Sequence, residues 1–275
     1  MNPPTSTTLS PVSAALRARF ADTNDLRFTC DLDDAKILWW ERALGSRGVW
    51  PDLLCRYLSH GVPFRKTYEV TLIDPAKGHA RIEIWGYDEA GRRVLKAGRS
   101  VEFDTGQVHL NKLEIVLEHQ GKLHGRFLLR NAYVLAKALG FGRLALSAMD
   151  NGSYVWARAG FYPWEDTWND PGDGQLRDTL LRYIEQLPPD EVDWRLKADI
   201  YDVVNDDDPK TIWALSALPG QVSSRLKPGE KVRLGWAMLV ESGATWQGHL
   251  PFATDPEAEA RLRSYLAKLT NAARP

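Results

Sequence analysis

The chain has 275 residues, 44% of them hydrophobic and 26% charged, with a formal net charge of −1. That balance suits one large core or two modest ones, and it lacks the global basic field that makes nucleic acid the expected partner. Cys30 and Cys55 are too few for a disulfide framework and lack the paired spacing of a zinc site, and no run of about 18 apolar residues marks a membrane span. The expectation is a soluble cytoplasmic protein that folds alone, with no metal.

The opening residues, MNPPTSTTLSPVSAA, are rich in Pro, Ser and Thr and lack the basic-then-apolar order of a secretory leader, so residues 1 to 20 are expected to be a flexible N-terminus. Residues 33 to 60 predict two helices. Asp33 or Asp34 caps the first, Gly45 and Gly48 break it, and Pro51 begins the second. Residues 66 to 117 then alternate with period two in four runs separated by DPAKG, DEAG and DTG, each turn carrying a glycine able to take a positive φ. This predicts a four-stranded antiparallel meander.

Between residues 113 and 126 the pattern changes from strand to helix. The apolar run LEIVL gives way to QGKLHGR, and from Arg126 to about Gly140 a single stripe holds Leu128, Ala132, Leu135, Ala136 and Leu139. A strand that ends in a glycine-bearing loop opening a helix leaves backbone N–H groups and the positive end of a helix dipole facing one spot, with Lys122, His124 and Arg126 beside it. An anionic ligand is expected there. RLALSA, 143 to 148, predicts the next buried strand, parallel to the one before the helix because a helix separates them.

Past Phe161 the periodicity weakens. TWNDPGDG reads as a loop, residues 175 to 187 and 211 to 218 as helices, 231 to 239 as a strand or buried helix, and 255 to 269 as an amphipathic helix opened by Pro256. Most of the eleven tryptophans are expected to anchor the core. Asp206-Asp207-Asp208 lacks the alternate spacing of a calcium loop and reads as a solvated turn, and no GxSxG, Walker or HExxH motif occurs.

The succession of meander, strand, QGKLHG loop, helix, strand and a short helix closing on Gly160-Phe161 resembles the GNAT superfamily of acyl-CoA-dependent N-acyltransferases. Specific similarity covers residues 113 to 161. The family loop (Q/R)-x-x-G-x-(G/A) falls on Gln120, Leu123 and Gly125, with Leu123 in place of the middle glycine, and Asn151-Gly152 with Tyr154 and Ala159-Gly160-Phe161 is similar to the last motif, Trp156 standing where many members have tyrosine. The resemblance implies an α+β fold, a mixed and mostly antiparallel sheet flanked by helices, with residues 21 to 170 binding acyl-CoA and residues 171 to 275 forming a helical or mixed extension or a second small domain. It also implies acetyl-CoA or a longer acyl-CoA as co-substrate, an amine of a small molecule, peptide or protein as acceptor, and direct transfer between them.

On that reading the cofactor is held by Ile115, Val116, Leu117, Gln120, Gly121, Lys122, Leu123, His124, Gly125, Arg126, Asn151 and Trp156. N–H groups of Ile115 to Leu117 are expected to be open to the developing oxyanion. Glu114, a carboxylate in an apolar strand, is the first candidate base and His124 the second, with Tyr154 as proton donor. Plainer roles stand beside these: a solvated side chain for Glu114, a phosphate neighbour for His124, a packed aromatic for Tyr154. Leucine at the middle position of the loop costs about 1–2 kcal/mol if the backbone there takes a positive φ and only narrows the site if φ is negative; Leu123, Trp156 and the long C-terminal region together also support a second reading, a GNAT-like binding module without catalysis.

Overall fold

The computed structural model describes residues 12–170 and 175–269. The expectations for residues 1–11 and for 171–174 of the TWNDPGDG loop lie outside the described residues. The described residues form two compact units, 12–106 with 112–139, and 107–111 with 140–170 and 175–269.

In the first unit, a short helix α1 (Ala14–Ala18) leads to strand β1 (Leu26–Phe28), then helices α2 (Asp34–Ala43) and α3 (Pro51–Leu58). Asp33 caps α2 by accepting the Lys36 N–H at 2.9 Å, and Pro51 opens α3 as its sequence position predicts. Ile37 and Trp40 are fully buried, and the Trp40 indole donates to the Val49 carbonyl at 3.0 Å, so the helix end is tied down by the same side chain that fills the core.

The meander follows as β2 (Arg65–Asp74), β3 (His79–Tyr87), β4 (Arg93–Glu102) and β5 (Gln107–Ile115), each within about two residues of its predicted limits. The first three pair antiparallel, with Tyr68 opposite Ile84 and Ile84 opposite Ala97, and the three connecting turns place Gly78, Gly91 and Gly106 at positive φ. β1, which the periodicity does not predict, lies parallel to β2 from Leu26 opposite Tyr68 to Phe28 opposite Val70. Helix α4 (His124–Ala138) buries Leu128, Ala132, Leu135 and Ala136, the predicted stripe. Its Asn131, also buried, donates to the carbonyls of Leu58 and His60 at 3.2 and 2.8 Å, which fastens α4 to the end of α3.

In the second unit, β5 pairs parallel with β6 (Arg143–Ala148) from Gln107 opposite Arg143 to Leu110 opposite Leu146, as expected for strands joined through a helix. After α5 (Asn151–Arg158) and β7 (Tyr162–Pro163), helices α6 (Glu165–Asn169), α7 (Leu176–Glu185), α8 (Trp194–Asn205) and α9 (Thr211–Ser216) pack in succession, followed by the hairpin β8 (Gln221–Ser223) and β9 (Lys231–Arg233). Residues 231 to 239 combine both expected forms: β9 runs into the helical turn α10 (Leu234–Trp236) and a π-helical turn, Ala237–Glu241.

Strand β10 (Trp246–Leu250) then pairs antiparallel with β6 on one side and β7 on the other, and α11 (Pro256–Leu266) closes the described chain. Residues beyond 170 therefore supply an inner strand of the same sheet. Close approach of the strands requires Gly248, because a Cβ there falls 2.2 Å from the Tyr162 carbonyl oxygen. Trp168 and Trp213, both buried, donate to the carbonyls of Asp206 and Phe161 at 2.8 and 2.9 Å, in keeping with tryptophans as core anchors. The architecture is a mixed α+β fold with mostly antiparallel strand pairing and flanking helices. No helix among the described residues is long and apolar enough to cross a membrane.

Candidate anion-binding loop

At the end of β5 the Val116 N–H donates to the Val94 carbonyl at 3.1 Å, so this expected oxyanion donor is already used by the sheet. A single 3₁₀ turn over Leu117–His119 follows, in which the N–H groups of His119 and Gln120 return to the carbonyls of Val116 and Leu117. The Gln120 amide then donates to the Ile115 carbonyl at 2.8 Å. That bond closes the loop onto the strand it leaves, a positioning role for the first residue of the motif.

Gly121 has φ 75° and Leu123 has φ 66° with ψ 1°, so the backbone turns left-handed at Leu123 immediately before the right-handed residues of α4. Alternation of this kind points successive N–H groups into one concavity, the arrangement known as a nest. Leu123 supplies no side-chain cap and the first turn of α4 has no acidic residue, while the N–H groups of Arg126 and Phe127 fold back onto the Leu123 carbonyl at 2.9 and 3.2 Å. Among the described residues the N–H groups of Gly121 to Gly125 have no hydrogen-bond acceptor. An uncapped helix start with this many unused donors is suited to an anion.

Side chains around the nest are cationic or aromatic. Lys122 is exposed and Arg126 half-buried. His124 is only 7% exposed; its ring lies 4.8 Å from Phe64 in an edge-on contact and 6.3 Å from His119, and its buried Nδ1 has no partner among the described residues. Phe64, 5.0 Å from His119 as well, is a neighbour that sequence reasoning missed, since one aromatic before a strand carries no local signal.

Burial, and then the charges of His119 and Lys122, hold the His124 imidazole below its ordinary value of 6.5. The folded state then binds this proton less readily than the unfolded chain. Its contribution to stability is therefore full above about pH 6.5 and lost as pH falls below that value. Urea midpoints measured from about pH 8 to pH 5 are expected to show this loss, and His124→Gln to remove part of the slope; an unchanged slope rejects the assignment.

Glu114 projects outward, 55% exposed, and its carboxylate pairs with Lys112 at 2.8 Å. Asn151, Tyr154 and Trp156 all stand on α5 in the second unit. The Asn151 side-chain oxygen accepts from the Trp236 indole at 3.0 Å, Tyr154 is half-buried, and Trp156 is packed 5.5 Å from Phe161 with its indole nitrogen against Gly152. The loop residues thus form one group in the first unit and the α5 residues another in the second. Asp206 and Asp208 accept N–H groups of Asp208 and Lys210, and Asp207 pairs with Arg177, so the aspartate run forms a turn.

No family model matches the sequence, and no curated protein matches it. Among solved structures, a nourseothricin acetyltransferase is similar at 18% identity over 38% of this chain and 62% of that one, with a TM-score of 0.28. An IAA acetyltransferase from Bacillus cereus is similar at 19% identity over 31% and 57%, TM-score 0.25, and an acetyltransferase of the GNAT family from Staphylococcus aureus at 15% over 32% and 56%, TM-score 0.26. The chain spans less than two thirds of the length of these solved structures.

Proposed function

We propose that this protein is an N-acyltransferase that takes its acyl group from acetyl-CoA or a longer acyl-CoA and passes it to an amine of a small molecule, peptide or protein. The observation that carries this reading is the set of unused N–H groups from Gly121 to Gly125 at an uncapped helix start, which suits the phosphates of coenzyme A. Gln120 orients the loop, Lys122 adds a charge at its rim, and Gly125 keeps the approach to the main chain open.

When bound, acyl-CoA supplies a thioester whose acyl group an uncharged amine accepts. The chain's part is to bind it, to place the amine and to take the amine's proton. Glu114 is the carboxylate assigned to that proton, directly or through one water, with Lys112 holding the side chain. A thiolate of pKa near 8.5 leaves with little proton assistance, so the reading does not depend on Tyr154 or on a tyrosine at the position of Trp156. The engaged Val116 N–H favours the second reading, a binding module that retains the loop without transfer.

Thermal or chemical denaturation with coenzyme A tests the first step. Ligand at 100 times its dissociation constant is expected to add about 2.7 kcal/mol, and the absence of any shift at millimolar ligand rejects the site. Glu114→Gln is expected to lower turnover by on the order of 10² while leaving coenzyme A affinity unchanged; unchanged turnover removes Glu114 from the chemistry. Binding with no transfer to any amine selects the second reading.

A further inference from the structure

Helices α3 and α4 pack side by side in the first unit, and their contacts fix the direction in which they run. Tyr57 stands near Arg130: burial raises its hydroxyl above the ordinary value, and the Arg130 charge opposes that shift. Next along the chain, Asn131 holds the carbonyls of Leu58 and His60, and the Phe127 ring then lies so close to Gly61 that a Cβ there would fall 2.7 Å from it. Partners on α4 run backward as α3 runs forward, so the pair is antiparallel. That order sets Leu53, one turn before Tyr57, level with Val134, one turn after Arg130.

The outer face of this pair is apolar along its middle. Leu53, Tyr57 and Val134 are 49%, 37% and 42% exposed, and Phe127, half-buried, continues the row with Arg130 stacked 5.2 Å over its ring. No Ser, Thr, Asn or Gln stands among the unburied residues of either helix. Neighbouring apolar side chains left open in this way mark a surface that another molecule covers.

The charges beside the row are nearly all of one sign. Unburied residues of α3 and α4 include Arg56, Arg126, Arg130 and Lys137 against one carboxylate, Asp52, and α4 has no acidic residue in its whole length. Neither Arg56 nor Arg130 has an ion-pair partner among the described residues. The face carries +3, which leaves −4 for the rest of a chain whose total is −1. A helix that faces water alone ordinarily mixes both signs at i, i+4 spacing, as α11 does with Glu257–Arg261 and Glu259–Arg263.

These two features narrow the occupant. A second copy of the chain would set +3 against +3, and a nucleic acid would engage the cations but leave the apolar row unmatched. A lipid surface calls for apolar side chains that stand clear of their helices, whereas Leu53, Tyr57 and Val134 keep half or more of their surface within the pair. We infer that the α3–α4 face docks an acidic amphipathic helix of a partner protein, whose apolar side covers Leu53, Tyr57, Phe127 and Val134 and whose flanking carboxylates meet Arg56, Arg130 and Lys137. None of these residues belongs to the loop from Gln120 to Gly125, so the inference stands whether or not that loop binds coenzyme A.

A fluorescein-labelled peptide of about four helical turns tests it, with leucines on one face, glutamates on the others and a lactam bridge to hold the helix. Full-length protein is expected to raise its anisotropy saturably at about 50 mM salt and to bind it several-fold more weakly at about 300 mM. A peptide of the same composition with its leucines scattered, and one with lysine for every glutamate, are expected to bind about tenfold more weakly or worse. Arg56→Glu with Arg130→Glu should weaken the acidic peptide about tenfold and strengthen the lysine one, an exchange that loss of structure does not produce. Leu53→Ser, at an exposed position, gives an independent second variant that should weaken the acidic peptide, and Arg195→Glu, exposed on α8, should leave its affinity unchanged. Absence of saturable binding, equal binding of the scattered or lysine peptide, undiminished affinity in the α3–α4 variants, equal weakening by Arg195→Glu, or a concentration-dependent dimer that Leu53→Ser abolishes in sedimentation overturns the inference.

Discussion

A Gly125→Asp variant is expected to fold as the wild type does and to lose coenzyme A binding by on the order of a hundredfold or more. The structural half of that expectation follows from the space at this position. A Cβ on Gly125 meets only a Leu113 methyl, at 3.4 Å, an ordinary contact, and the residue stands outside the left-handed region. A carboxylate in the first turn of a helix also interacts favourably with the helix dipole, so stability should hold or rise slightly.

The functional half follows from charge. The same carboxylate occupies the concavity made by the N–H groups of Gly121 to Gly125 and meets the phosphates of the ligand with like sign, a juxtaposition that costs several kcal/mol at close range. Unfolding midpoints and a coenzyme A titration on the same preparation separate the two halves. Retained affinity in a folded variant means that the loop is not the site, and Gly125→Ala, which adds the Cβ without the charge, should keep most of the binding.

Arg99→Ala is expected to destabilise the protein by roughly 3–5 kcal/mol. Arg99 is 1% exposed in the middle of β4, where its Nη1 donates to the Gly98 carbonyl at 2.6 Å and to the Lys112 carbonyl at 2.9 Å, while its Nη2 is buried without a partner among the described residues. Burial pushes this guanidinium down to about 10, and Glu83 only partly opposes that shift. Truncation leaves a cavity and removes the donor from both carbonyls, and these two losses add.

Arg99→Met separates them. Methionine refills most of the volume and removes a charge that burial disfavours, so it should recover the larger part of the loss. Denaturant titration of both variants decides the point. A methionine variant as unstable as the alanine one shows that the two carbonyl hydrogen bonds, rather than packing, are what Arg99 contributes at the start of the Lys112–Ile115 segment that carries Glu114.

Local pattern alone specified much of this protein. The capping of α2 by Asp33, the start of α3 at Pro51, the four strands with their glycine turns, the buried stripe of α4 and the parallel partner β6 all depend on contacts between near neighbours or on a simple periodicity of burial, and both are written directly in residue order. The loop between β5 and α4 was legible for the same reason, as a place where one period stops and another begins.

Tertiary structure decided the rest. β10 pairs with strands some hundred residues earlier, and its alternation is interrupted at Gly248, whose missing Cβ is required by the approach of Tyr162 and by nothing in its own neighbourhood. β1 has three residues, too few for a period to register. Glu114 read as an isolated carboxylate in an apolar strand, but its outward side chain and its pairing with Lys112 depend on the pleat. Leucine has no intrinsic preference for the left-handed conformation that Leu123 adopts; closure of the loop by Gln120 and the packing of His124 against Phe64 accompany it, and the N–H groups from Gly121 to Gly125 have no hydrogen-bond acceptor among the described residues.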